Sequence, residues 1–241
     1  MTIQEMHYDV KMKLNKADSQ QYRNLIIPQI DWILNEAQEL FVKMIAEPRI
    51  ASQYGYEIGQ RTWMDIRSIV EEEKEVTPVN NLVTLPDNFW FYVSAYCEME
   101  KGSCKKNSHK IFIRQHDDDF ENSPFDKSSF EWKTVNGVFN SQGLKLYAED
   151  FNITKVLLTY IRKLKYIHNA EGFNTNGYKM PSAKKPSTEN KEVTYMGSEN
   201  CELPESTHRE IVDIAVLIAT GQLQIPDYQI KKDKLSFNQI Y

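Results

Sequence analysis

The chain has 241 residues, with 29 Lys and Arg against 34 Asp and Glu, for a formal net charge of −5. Apolar residues make up 41%, charged residues 26% and aromatics 12%, with 9 Gly and 9 Pro. This is the composition of a folded globular chain. It excludes collagen-like and wholly disordered classes, and it argues against a surface that wraps nucleic acid everywhere.

Ile3, Met6, Val10 and Leu14 predict a first short helix, with Asp18-Ser19 as its break. Ile30, Ile33, Leu34, Ala37, Leu40, Phe41 and Met44 follow the three-then-four repeat of a longer amphipathic helix. Pro28 suits its first turn, and Glu47-Pro48 supplies a stop. A third helix is expected over Arg61 to Lys74 with Ile66, Ile69 and Val70 as its stripe, closed by the solvated run Glu71 to Glu75. From Val76 to His168, short aromatic and β-branched runs alternate with turn residues: Leu82 to Leu85, Ile111 to Ile113, Phe130 to Val135, Leu144 to Tyr147 and Val156 to Ile161. These predict a small antiparallel sheet or sandwich, with Asn136-Gly137 as a hairpin turn.

Residues 169–202 lose periodicity and read as a polar, basic linker or arm. Thr207 to Glu210 fits a capping box ahead of a closing helix with Ile211, Ile214, Ala215 and Ile218 on its stripe and Gly221 at its stop. The last residues read as an extended docking tail, too apolar to be purely solvated. The expected organisation is a helical part (1–75), an inserted β-rich domain (76–168), the linker, the C-terminal helix (203–221) and the tail (222–241). The fold class is α+β.

The longest apolar run, Ile214 to Ala219, is far short of a membrane span, and no secretory leader is expected. Cys97, Cys104 and Cys201 form no CxxC pair, so a reducing cytoplasm is the simpler setting. Asn152-Ile153-Thr154 is read as a chance sequon. There is no phosphate loop, nucleophile elbow or HExxH motif. His116 with Asp117 to Asp119 is the best candidate for a metal or acid/base site, but consecutive residues of an extended segment point to opposite sides. His7, His109, His116, His168 and His208 show no i, i+4 pairing, and His208 is assigned a capping or packing role. Phe89 to Val93 with Tyr96 lacks the interleaved Lys or Arg of a base-stacking platform and reads as core and interface. From Arg162 to Lys191 there are seven positive and two negative residues, which suits docking on an acidic partner through Lys184 and Lys185.

The order of several features resembles one family. A paired-helix opening (Ile3 to Ile45) is followed by Leu85-Pro86-Asp87-Asn88-Phe89, by Ile111-Phe112-Ile113-Arg114, and by an Asp-rich turn with Asn122-Ser123-Pro124-Phe125. Val156 to Lys163 and a closing helix from Leu203-Pro204-Glu205 to Ala215 complete the pattern. It is similar to the head-to-tail connector (adaptor, or tail tubular) ring proteins of short-tailed bacteriophages, most of all the crAss-like ones. The resemblance implies a helical bundle with an inserted β domain, no enzymatic activity and no cofactor. It implies a virion neck protein, assembled in the host bacterial cytoplasm, that forms a dodecameric ring beneath the portal. Such a ring docks the next tail component and lets double-stranded DNA pass without sequence-specific binding. The tail (Tyr228, Ile230, Leu235, Phe237, Ile240, Tyr241), Lys184, Lys185 and the N-terminal helix are the expected docking elements. The alternatives are a stopper-like neck ring and, from another class, a metal-dependent hydrolase built on His116 and Asp117 to Asp119.

Overall fold

A computed structural model of the chain describes residues 1–15, 25–46, 60–108, 110–114, 127–181 and 192–222. In chain order the elements are α1 (Ile3–Asn15), α2 (Ile27–Ala46), α3 (Gln60–Asp65) with a 3-10 turn at Arg67–Ile69, β1 (Val70–Val76), β2 (Leu82–Val83), β3 (Phe89–Lys101), β4 (Cys104–Asn107), β5 (Lys110–Arg114), β6 (Thr134–Asn140), β7 (Gly143–Tyr147) and β8 (Asn152–Arg162). They continue as β9 (His168–Asn169), α4 (Ala170–Phe173), β10 (Tyr178–Pro181), β11 (Glu192–Tyr195), β12 (Ser198–Glu199) and α5 (Glu205–Gln222). The fold class is α+β. Two compact units share the chain: residues 1–68 with 164–241, and residues 69–163. Among the described residues no helix is long and apolar enough to cross a membrane.

In the first unit, α5 packs against both α1 and α2. Ile3, Met6 and Val10 of α1, Ile30, Leu34, Ala37 and Phe41 of α2, and Ile211, Ile214 and Ala215 of α5 are all buried. The apolar stripes expected from spacing therefore form the core, because each stripe removes its surface from water only by meeting another. Lys13 ties α1 to α5 with a 2.7 Å bond to Asp213 and holds Asp9 at 3.0 Å. The capping box expected at Thr207 does not form. The helix begins at Glu205, and the Thr207 hydroxyl donates to the Pro204 carbonyl at 2.8 Å. Gly221 lies within α5, not beyond its end. Residues expected as linker are also structured: β10 pairs with β11, and β9 pairs with β12, both antiparallel.

The second unit has two four-stranded sheets, ordered β1-β8-β3-β4 and β2-β7-β6-β5. Alternate residues of both sheets supply one core: Ala95, Cys97 and Met99 of β3, Val156, Leu158 and Tyr160 of β8, Ile111, Val135, Leu144 and Leu146 from the other sheet. Phe89, Tyr92, Phe139 and Tyr160 add ring contacts of 5.5–6.2 Å.

Three expectations are corrected here. The predicted third helix stops at Asp65, and Val70–Val76 is instead an edge strand paired with β8. Its glutamates favour helix only weakly, and the pairing to β8 overrides that preference. Charged side chains on an edge also discourage pairing with foreign strands. Second, Asn136-Gly137 is no turn but the middle of β6. A Cβ at Gly137 would lie 3.1–3.2 Å from Leu144, Ile111 and Leu146, so the glycine is there for close packing. The hairpin turns instead at Ser141-Gln142, where the Asn140 carboxamide accepts from the Gln142 and Gly143 amides at 3.0 and 2.9 Å. Third, the sheet is not purely antiparallel, since β5 and β6 run parallel.

Gly143 has φ +146°, and a Cβ there would stand 2.2 Å from the Val83 carbonyl oxygen of β2. Gly143→Ala must therefore push β2 off β7 or distort the turn. Its expected cost is about 2–4 kcal/mol. Chemical denaturation of the variant, read by circular dichroism, checks this.

Candidate functional site

The most heavily built polar constellation lies in the first unit. On α2 the residues Asp31, Asn35 and Gln38 follow one another at i, i+4 and i+7, and all three are buried. They share a face because the helix repeats every 3.6 residues. Buried polar groups need partners, and these find theirs on the segment 165–169. The Asn35 carboxamide donates to Ile167 O at 2.7 Å and accepts from Ile167 N at 2.9 Å. The Gln38 amide donates to Lys165 O at 3.0 Å and to Asn35 Oδ1 at 2.8 Å. Asp31 accepts from Asn169 N at 3.2 Å. A row of helix side chains thus does for this segment what a neighbouring strand does in a sheet.

Asp31 is the centre of this arrangement and has 0% exposure. Besides Asn169, His7 Nε2 of α1 lies 2.7 Å from one carboxylate oxygen, and the Tyr178 hydroxyl of β10 donates to the other. Burial, and then the hydrogen bond to Asp31, hold the Tyr178 phenol well above its ordinary pKa. Burial also raises Tyr166, with the Asp31 charge as the next cause. Tyr166 stacks on Tyr195 at 4.6 Å, Tyr195 meets Tyr178 at 5.6 Å and His168 at 5.1 Å, and Phe173 meets Tyr178 edge-on at 5.9 Å. The constellation draws on α1, α2, β9, β10 and β11 together.

A His–Asp pair is the outline of an acid/base dyad, in which the carboxylate orients the imidazole toward a substrate proton. Here the pair is shielded from solvent: His7 is 4% exposed, and its Nδ1 is buried with no hydrogen-bond partner among the described residues. Both Asp31 oxygens are engaged. The arrangement acts as a cross-brace. His208 is a second one: its Nδ1 lies 3.0 Å from Met1 O and its Nε2 2.8 Å from Leu203 O. That agrees with the packing role expected for it.

The sequence-predicted docking residues Tyr228, Ile230, Leu235, Phe237, Ile240, Tyr241, Lys184 and Lys185 lie outside the described residues, as do His109, His116 and Asp117 to Asp119. The described part of the basic stretch is engaged within the chain. Arg162 stands 3.6 Å from Glu71, Lys165 3.8 Å from Glu199, and Lys179 3.9 Å from Glu192, while Lys163 donates to Asp87 O at 3.3 Å. Phe89 and Tyr92 pack on the second unit's core, as the core reading of that aromatic run requires, and Tyr96 is exposed. Cys97 and Cys201 are buried, with thiols pushed up to about 11 by burial, and Cys104 is exposed. Among the described residues no three His, Cys, Asp or Glu side chains are grouped to hold a metal. Along α1 and α5 runs an open groove of about 990 Å³ lined by Met1, Thr2, Gln4, Glu5, Tyr8, Asp9, Lys13 and Arg209.

No protein-family model matches this sequence. No curated protein matches it either.

Asp31→Ala leaves His7, Tyr178 and the Asn169 amide without their acceptor, and the expected loss of stability is about 3–5 kcal/mol by denaturant titration. Tyr178 gives a pH dependence. Its phenol keeps its proton in the fold above pH ~10, where the unfolded chain releases it. That contribution is complete below pH ~10 and is lost as pH rises beyond it. Tyr178→Phe is therefore expected to flatten the fall in melting temperature between neutral pH and pH 11, measured by differential scanning calorimetry.

Proposed function

We propose that this chain is a structural subunit of a larger assembly, working by shape and contact and not by turnover. More narrowly, it is the connector of a short-tailed phage neck: a ring beneath the portal that extends the DNA channel and receives the next tail component. The observation that carries this reading is the way the chain is divided. It leaves the first unit at Ile69, builds the β-rich unit and returns at Leu164, so that α1 and α2 meet α5 across the interruption. A helical part split by one inserted β-rich part is the layout that the resemblance implies.

Two further features support it. The Asp31 constellation is buried and spends its hydrogen bonds on joining α1, α2, β9 and β10. The α1 groove displays Tyr8, which is 67% exposed, next to Met12, also exposed, one helical turn further on. Ring closure needs heterologous contacts, in which one patch of a subunit meets a different patch of the next. An exposed aromatic on a well-packed helix suits one side of such a contact.

The test is the particle mass and symmetry of the purified protein, alone and with the portal protein, by native mass spectrometry and negative-stain electron microscopy. A closed ring, formed alone or on the portal, is expected, with twelve copies as the expected number. A protein that stays monomeric in both conditions overturns the proposal.

A further inference from the structure

Lys101 to Arg114 contains five cations and no carboxylate, in a chain whose total charge is −5. The run includes β4 and β5, and the fold brings a tight turn against it. In that turn Ser129 and Thr134 exchange both backbone hydrogen bonds, at 2.9 and 3.1 Å, and the Ser129 hydroxyl accepts from Trp132 N at 3.4 Å. Lys133 sits in the left-handed region at φ +55°. The turn is thereby fixed with Trp132 at its tip, 78% exposed.

Lys106 of β4 places its ammonium 4.6 Å from the ring centre of Phe130 in the same turn. Lys110 of β5 is the register partner of Thr134, the last residue of the turn, and is exposed. Lys105, beside Lys106, is exposed too. Phe112, on the same face of β5 as Lys110, is 46% exposed. Glu131 in the turn and Glu100, 3.8 Å from Lys105, offset part of the charge. The result is an exposed indole on a fixed turn that also carries Lys133 and is met by Lys106 of β4 and Lys110 of β5.

We propose that this corner of the β-rich unit binds single-stranded nucleic acid, with an unpaired base stacked on Trp132 and the flanking phosphates on the lysines. Lysines alone would suit any polyanion. The indole decides the class, because stacking is sequence-tolerant and needs a base that is not already paired. A protein anchor would instead bring an apolar surround, and the strands that meet this turn offer Lys106 and Lys110 beside the exposed Phe112. The site rests on the β-rich unit's own geometry and does not depend on the connector reading.

The test is fluorescence titration of the full chain with a twenty-residue oligothymidylate, with a duplex of equal length and with heparin, at low and moderate salt. The expected result is quenching by the single strand, with a log–log salt slope of about −2, as three engaged lysines require. Trp132→Ala should abolish most of the quenching and weaken binding about tenfold, measured separately by anisotropy of a labelled strand. Lys110→Gln should flatten the salt slope by about 0.7. Both positions are exposed, and circular dichroism verifies the fold of each variant. No binding at low salt overturns the proposal, as does unchanged binding by Trp132→Ala, or equal binding of single strand, duplex and heparin. A ring that forms normally without such binding would leave the connector reading standing and remove this one.

Discussion

A carboxylate removed from water must be solvated by the protein, and the first unit is arranged around doing so for Asp31. Isolated, such a charge would cost many kcal/mol to bury. His7, Tyr178 and the Asn169 amide replace the lost water, and each arrives on a different element. The need runs in both directions. The segment 165–169 has no strand on the α2 side to satisfy its backbone, and Asn35 and Gln38 provide the missing donors and acceptor. One stripe of polar residues on α2 therefore fixes where the returning chain lies. A purely apolar stripe would bury as much area without choosing a register. Buried polar pairing of this kind selects one arrangement more than it adds net stability.

The second unit reaches definition by other means. Its core is apolar and alternating, and the fine control comes from backbone placement. Gly137 lets Leu144, Ile111 and Leu146 approach, and Gly143 lets β2 come against the start of β7. Asn140 shapes the turn with its own side chain. The two units thus illustrate two ways of specifying a unique structure: satisfied polar groups in one, steric fit around glycine in the other.

Much of this was legible from spacing. The stripes of α1, α2 and α5 are periodic enough to announce both helix and buried face, and β5, β7 and β8 stand out as short aliphatic and aromatic runs between turn residues. What failed did so for identifiable reasons. The glutamates of β1 carry no strand signal, since that strand exists through its pairing to β8, some ninety residues on. Asn136-Gly137 has the chemistry of a turn, but a glycine chosen for close packing looks the same in sequence. The polar stripe Asp31, Asn35 and Gln38 went unread in the sequence, because it shares a helix whose apolar repeat dominates the pattern. Its meaning lay in partners more than 120 residues away, and nothing local points to them. Trp132 and the lysines of β4 and β5 were likewise separated by the stretch between Arg114 and the turn.

The pairing of Val70 with Ile161 has one more consequence. The first and last strands of the second unit are hydrogen-bonded neighbours, so the chain enters and departs by one doorway. Excising such a cassette leaves two ends close enough for a short splice, and grafting another in its place asks little of the host around it. The hydrogen-bond partners of Asp31 all belong to the first unit, so such an exchange leaves them in place.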